Sequence, residues 1–147
     1  IEFGPGSILH IPSGMTHSVV IAEGQEAAAI ARITDSFLRH HALSGNKVMT
    51  PNVTAHVAVL PKGHTFAGGK PVEGAWVETK TPSFALADHD VQTAFFGEAT
   101  QILHELSGGT LDKDRIWANG VHTVDGTWNL DGKALTNAEI GAAISNG

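Results

Sequence analysis

The chain has 147 residues with no Cys and no Tyr, and its net charge is −6. That length makes one ordinary domain, able to bury roughly two-thirds of its unfolded surface, so a core is expected without staples. The lack of Cys excludes disulfides, thiol nucleophiles and thiolate metal sites; nine Lys and Arg against fifteen Asp and Glu argue against nucleic-acid partners; no apolar run approaches the ~20 residues of a membrane span. Charged residues are 16% of the chain, below the ~25% of an average globular protein. With 41% hydrophobic residues this excludes disorder and points to surface covered by other subunits.

In chain order, residues 1–14 read as a leader or an extra strand, with an apolar run at Ile8–Ile11 between Gly/Pro turns, and Met15 is the first plausible start. The segment does not read as a signal peptide, so a cytoplasmic location is expected. Residues 18–22 (SVVIA) predict a strand closed by Glu23-Gly24. A helix is expected over 26–43, its buried stripe running through Ile30, Ala31, Ile33, Thr34, Phe37, Leu38 and His41, and stopped by Ser44-Gly45-Asn46. Alternation over 53–60 predicts a half-buried strand, followed by a turn-rich stretch at 61–69 and another strand at 74–79 ended by Pro82.

A second helix is expected over 90–106, with Asp88 as N-cap, Val91, Ala94, Phe95, Ala99, Ile102 and Leu106 as its stripe, and Gly108-Gly109 as its stop. Residues 116–124 predict a strand and 125–132 a hairpin region. Thr136 with Glu139 fits a capping box opening a short last helix to Ile144.

This order is a β-α-β unit written twice. A shift of 63 residues lays VTAHVAVLPKGHTFAGGKPV on IWANGVHTVDGTWNLDGKAL without a gap, matching Gly63 to Gly126, Gly69 to Gly132 and Lys70 to Lys133. A β-α-β crossover makes two parallel strands with the helix on one side. Two such units predict an α/β fold with one four-stranded sheet and both helices on one face. The other face then needs another layer, most simply further copies of the chain. We expect one domain over 15–147, with unit one at 15–73 and unit two at 74–147.

The segments VVIAEGQ, KGHTFAGG and RIWANGVHTVDGTWNLDG resemble the tautomerase superfamily, in its 4-oxalocrotonate tautomerase-like form with two fused β-α-β units. The resemblance spans about Met15 to Gly147. It implies a trimer with sheets facing inward. It also implies chemistry by an N-terminal proline amine as general base, with Arg residues holding a substrate carboxylate and a hairpin aromatic walling the pocket. In this sequence the proline position falls on Met15 or Thr16, with fourteen residues before it. Pro51 is internal, so its nitrogen is a non-basic amide. The Arg position after the Glu-Gly turn is Gln25. The second-strand Arg positions are Thr54 and Trp117, with Arg115 two residues before Trp117, and the hairpin aromatics are Phe66 and Trp128.

The resemblance therefore implies an isomerase of small carboxylated keto–enol compounds working by other acid/base groups. Its candidate catalytic residues are Thr16 and His122; its candidate substrate contacts are Gln25, Thr54, Phe66, Arg115, Trp117 and Trp128. No cofactor, metal, nucleic acid or membrane is expected, and a homo-oligomer is. Read as residues alone, His122 is equally an ordinary strand histidine, Trp76, Trp117 and Trp128 are core or interface packing, and Arg115 is a surface cation. Two alternatives stand beside the isomerase. One is a catalytically inactive tautomerase-fold binding or scaffold module. The other is a fragment of a cupin–tautomerase fusion, because Gly6, Pro12, Gly14 and His17 resemble the second cupin motif, in which the His binds metal.

Overall fold

The computed structural model describes the backbone of residues 7–11 and 15–19 and all of residues 24–147. The expected strand residues Val20–Ala22, the turn residue Glu23 and the cupin-like Gly6, Pro12 and Gly14 lie outside the described residues.

Four strands carry the architecture. β2 (Met15–Val19) runs parallel to β3 (His56–Val59), and β6 (Ala75–Pro82) runs parallel to β7 (Ile116–Thr123). The two pairs join through an antiparallel contact, Met15↔Thr79. β1 (Ser7–Ile11) adds antiparallel to β2, from Ser7↔Val19 to Ile11↔Met15, and also meets β3 at Ser7↔Val59. Helix α1 (Glu26–His40) links β2 to β3, and α2 (His89–Leu106) links β6 to β7. The expected α/β fold of two β-α-β units with both helices on one face is what forms.

Two small hairpins follow the units: β4 (Phe66–Ala67) with β5 (Lys70–Pro71), and β8 (Trp128–Leu130) with β9 (Lys133–Leu135). In both, the two turn residues have positive φ: Gly68 at 56° and Gly69 at 77°, Asp131 at 51° and Gly132 at 78°. This is the two-residue turn whose twist matches the flanking strands. The capping box opens α3 (Asn137–Ser145) as expected, with Glu139 Oε2 accepting from Thr136 N at 2.8 Å and Thr136 Oγ1 from Glu139 N at 3.3 Å. Asp88 caps α2 by accepting from the backbone N–H of Asp90 and Val91.

The core lies between the helices and one face of β6. Ala75, Val77, Thr79 and Thr81 alternate as buried residues along that strand, and Ile33, Phe95 and Leu103 from the helices are fully buried against them. Full burial of such side chains stabilises by about 1.5–3 kcal/mol each. Phe37 and Phe95 meet edge to face, with centroids 5.4 Å apart. Two stripe assignments differ from the sequence expectation. Ala31 and Ala94 are exposed, whereas Ala29, Ser36 and Leu103 are buried; each helix is rolled toward the other, so the α1–α2 seam takes residues that a sheet-only stripe omits. α1 also ends at His40 rather than 43. Ala42 turns to φ 56°, and Leu43 N donates to Leu38 O at 2.7 Å, the bond of a left-handed helix stop.

That seam is clamped by Glu98. Its Oε2 accepts from the buried Ser36 hydroxyl at 2.8 Å and lies 2.8 Å from His40 Nε2, while Oε1 pairs with Arg39 at 2.7 Å. The Arg39 and Ser36 hydrogen bonds hold the Glu98 carboxyl down at about 2. An acid with a lowered folded pKa stabilises above its unfolded value, near 4.5, and that contribution is lost as pH falls toward 2. Glu98→Ala is expected to lose about 1–3 kcal/mol, chiefly by stranding the Ser36 hydroxyl, and to flatten the acid limb of stability below pH 4.5. Urea unfolding across that pH range reads both effects.

Candidate functional site at the end of β6

Where the helix cover of β6 runs out, the chain encloses an apolar pocket with about 550 Å³ of empty space including its mouth. Thr81 and Pro82, the last residues of β6, line it. One wall is Phe37 and His41 at the end of α1, continued by Leu43, Met49 and Val53. The tight turn after β6 supplies Phe84 and Ala85. Trp128 and Leu130 of the second hairpin and Ile140 and Ile144 of α3 complete the described lining.

Long-range polar contacts bring these distant segments together. Asn137 Nδ2 donates to Ser83 Oγ at 2.7 Å, Asn46 Nδ2 donates to Ile144 O at 2.9 Å, and Lys47 N donates to Gly147 O at 3.4 Å. The C-terminal segment therefore folds back over the end of β6 and the loop after α1.

His41 is built into the wall as a neutral ring. Its Nδ1 lies 2.7 Å from Phe37 O, so it must donate; Nε2 then accepts from Leu86 N at 3.1 Å. Burial lowers its pKa. Both nitrogens are spent on backbone, so His41 positions rather than reacts. Its partner Leu86 is buried at φ 54°, a conformation that a Leu side chain resists. That turn is held from two sides, by His41 and by Gln92 Nε2 donating to Leu86 O at 2.7 Å. Thr81 Oγ1 is likewise engaged, donating to Ala85 O at 3.4 Å.

The expected site residues fall into separate groups. Trp128 lines the pocket. β2 begins opposite Thr79, so the backbone of Met15 and Thr16 stands toward the pocket end of β6. His122, exposed on β7, is the register partner of Thr81, and Thr54, also exposed, adjoins the lining residue Val53. The others lie elsewhere on the protomer. Trp117 is five residues from His122 along β7, about 17 Å, and on the opposite strand face. It stacks on Trp76 at 4.6 Å over Gly74, whose missing side chain leaves room for the ring. Arg115 precedes Trp117 in a short 3₁₀ turn, beside Asp114. Gln25 sits at the far end of α1, about 24 Å of helix away from His41, and Phe66 is exposed on the first hairpin.

The sequence reading did not mark Met49, Thr81, Phe84, Ile140 or Ile144 as site residues. Ile140 and Ile144 at helical spacing were visible as an apolar face, without a sign of what they face. Among the described residues, no group of three or more His, Asp or Glu is placed to hold a metal ion, and no helix is long and apolar enough to cross a membrane. The side chain of His17, the cupin-like candidate ligand, lies outside the described residues.

No family model and no curated protein matches the sequence. Solved structures do match its shape. N1, a member of the cis-3-chloroacrylic acid dehalogenase family, superposes with a TM-score of 0.64 at 15% identity, covering 83% of this chain and 82% of that protein. A fused 4-OT described as an asymmetric trimer gives 0.63 at 14% identity, covering 93% and 99%. A macrophage migration inhibitory factor-like protein from Entamoeba histolytica gives 0.60 at 17% identity, covering 89% and 98%. The chain thus has the tautomerase-superfamily fold that its sequence resembles.

Because His41 is neutral in the fold, its pKa lies below the ordinary 6.5. The unfolded chain takes up a proton first as pH falls, so the stability that neutral His41 provides is present above pH 6.5 and is lost below it. His41→Gln is expected to be less stable than the parent at pH 7.5 and to show a shallower loss of denaturation midpoint between pH 6.5 and 5. An unchanged slope would show that other groups set the acid sensitivity.

Proposed function

We propose that this is a tautomerase-fold protein that binds a small molecule in the pocket at the end of β6, without proline-amine chemistry. One observation carries the reading: the pocket lies at the end of β6 where β2 begins, and there the resemblance puts the reacting group. Met15 and Thr16 stand at that position with amide nitrogens, since residues precede them. The histidine in the pocket wall has both nitrogens engaged. Loss of a general base alone forfeits about 10²–10⁴ in rate.

The open face of the sheet supports a homo-oligomer, a trimer with sheets inward in this reading. Trp76 and Trp117 stack there, and Val121 on the same strand face as Trp117 is 54% exposed. Aromatic residues of this kind anchor interfaces. Arg115, Trp117, Gln25 and Phe66 belong in this reading to that assembly or to solvent. A cytoplasmic location completes it.

The second reading is a keto–enol isomerase of a small carboxylated compound, with His122 and Thr16 as acid/base groups. It is supported by the register of His122 beside the lining residue Thr81. Ketonisation of phenylpyruvate and 2-hydroxymuconate, followed by absorbance, separates the two. The binding reading expects the rate in buffer. A faster rate that His122→Ala abolishes would replace it with the isomerase. Light scattering is expected to give three times the 15.4 kDa chain mass; a monomer mass would overturn the assembly.

A further inference from the structure

The pocket's chemistry deepens the binding reading, on which this inference rests. Among the described residues its lining is almost wholly hydrocarbon, and the polar groups of His41 and Thr81 are already committed. His41 uses both ring nitrogens on the backbone of Phe37 and Leu86, and the Thr81 hydroxyl donates to Ala85 O. Trp128 also lines the pocket, and its indole N–H makes no hydrogen bond among the described residues. An indole nitrogen only donates, so a ligand can satisfy it with one acceptor oxygen.

Among the described residues, no Lys or Arg lines the pocket. The two arginines of α1 are tied to the α1–α2 seam, Arg32 to Glu105 and Arg39 to Glu98. Arg115, the expected carboxylate clamp, sits at the other end of β7. The chain as a whole carries −6, which repels anions at longer range. A carboxylate entering such a pocket gives up its hydration for hydrocarbon and one donor, a poor exchange for a full charge.

We propose that the pocket takes a neutral ligand with an apolar body and a single hydrogen-bond acceptor, an aryl or branched alkyl ketone or aldehyde in chemical class, and discriminates against the matching carboxylate. The apolar body fills the space between Phe37, Leu43, Ile140 and Ile144, and the carbonyl oxygen accepts from Trp128. This departs from the carboxylated substrate that the sequence resemblance implies.

The test compares 4-phenylbutan-2-one with 3-phenylpropanoate, which share a phenethyl body and differ in ketone against carboxylate. The full chain contains three Trp, so a ¹⁵N-labelled sample gives three indole N–H resonances, and the Trp128 signal is the one missing from Trp128→Phe. At pH 7.5 the ketone is expected to shift the Trp128 resonance saturably, leaving the stacked Trp76 and Trp117 in place. The carboxylate is expected to bind at least about tenfold more weakly. Trp128→Phe keeps an aromatic wall without the donor and is expected to weaken the ketone about fivefold, the worth of one hydrogen bond. Leu43→Lys, at a half-buried position on the wall, is expected to narrow or reverse the preference. A carboxylate that binds as tightly as the ketone overturns this inference and leaves the pocket as the site. A folded protein whose Trp128 resonance responds to neither probe overturns the pocket reading as well.

Discussion

The burial of one face of β6 beneath two helices is the constraint from which the rest of this structure follows. Ala75, Val77, Thr79 and Thr81 lie along that face, and β6 is the strand on which the two β-α-β units meet, through Met15↔Thr79 on one side and the full β7 register on the other. Small side chains there let Ile33, Phe95 and Leu103 sit close to the sheet. On the neighbouring strand, Gly120 leaves room for its register partner Thr79: a Cβ there would lie 2.8 Å from Thr79 Oγ1. A bulky residue at any of these positions would lift a helix and cost both units their core together.

The one-sidedness of that cover has two consequences. Among the described residues, the opposite sheet face carries the Trp76–Trp117 stack and leaves Val121 exposed. The cover also leaves the last two residues of β6 beyond the reach of α2, which starts only after the turn at Ser83–Ala87. The C-terminal hairpin and α3 fill that gap incompletely, and the pocket is what remains. The elements around it are held by polar contacts at their edges, from Asn137 to Ser83 and from Asn46 to Ile144, and by the strained Leu86 turn pinned to His41. A cavity lined mostly by hydrocarbon is thereby framed by hydrogen bonds at its edges and in its wall.

Local rules written in few residues were legible from the sequence. The Asp88 cap, the Thr136–Glu139 capping box and the Gly69 and Gly132 turns form as read, because each depends only on neighbours within four positions. The end of α1 was not legible. Ser44-Gly45 looked like the stop, but the helix closes at Ala42, where the His41 ring also bonds to Phe37 O and Leu86 N. The burial of Ser36 was equally hidden. A serine on a helix reads as solvated until Glu98, sixty-two residues away, supplies its acceptor.

The order of elements, the doubled β-α-β plan, the handedness that puts both helices on one face, and the resemblance to a family whose fold the structure bears are all written in the residue pattern. These follow from periodicity and from sterics that every L-amino-acid chain shares. Which of the aromatic and polar residues share a site emerges from long-range packing alone. Trp117 and Trp128 look alike eleven positions apart in sequence, yet one stacks on the open sheet face and the other walls the pocket. The reason is that a strand alternates its faces every residue, and the turn after β7 then carries the chain back over the end of β6. Position along the chain therefore says little about which cavity a side chain reaches.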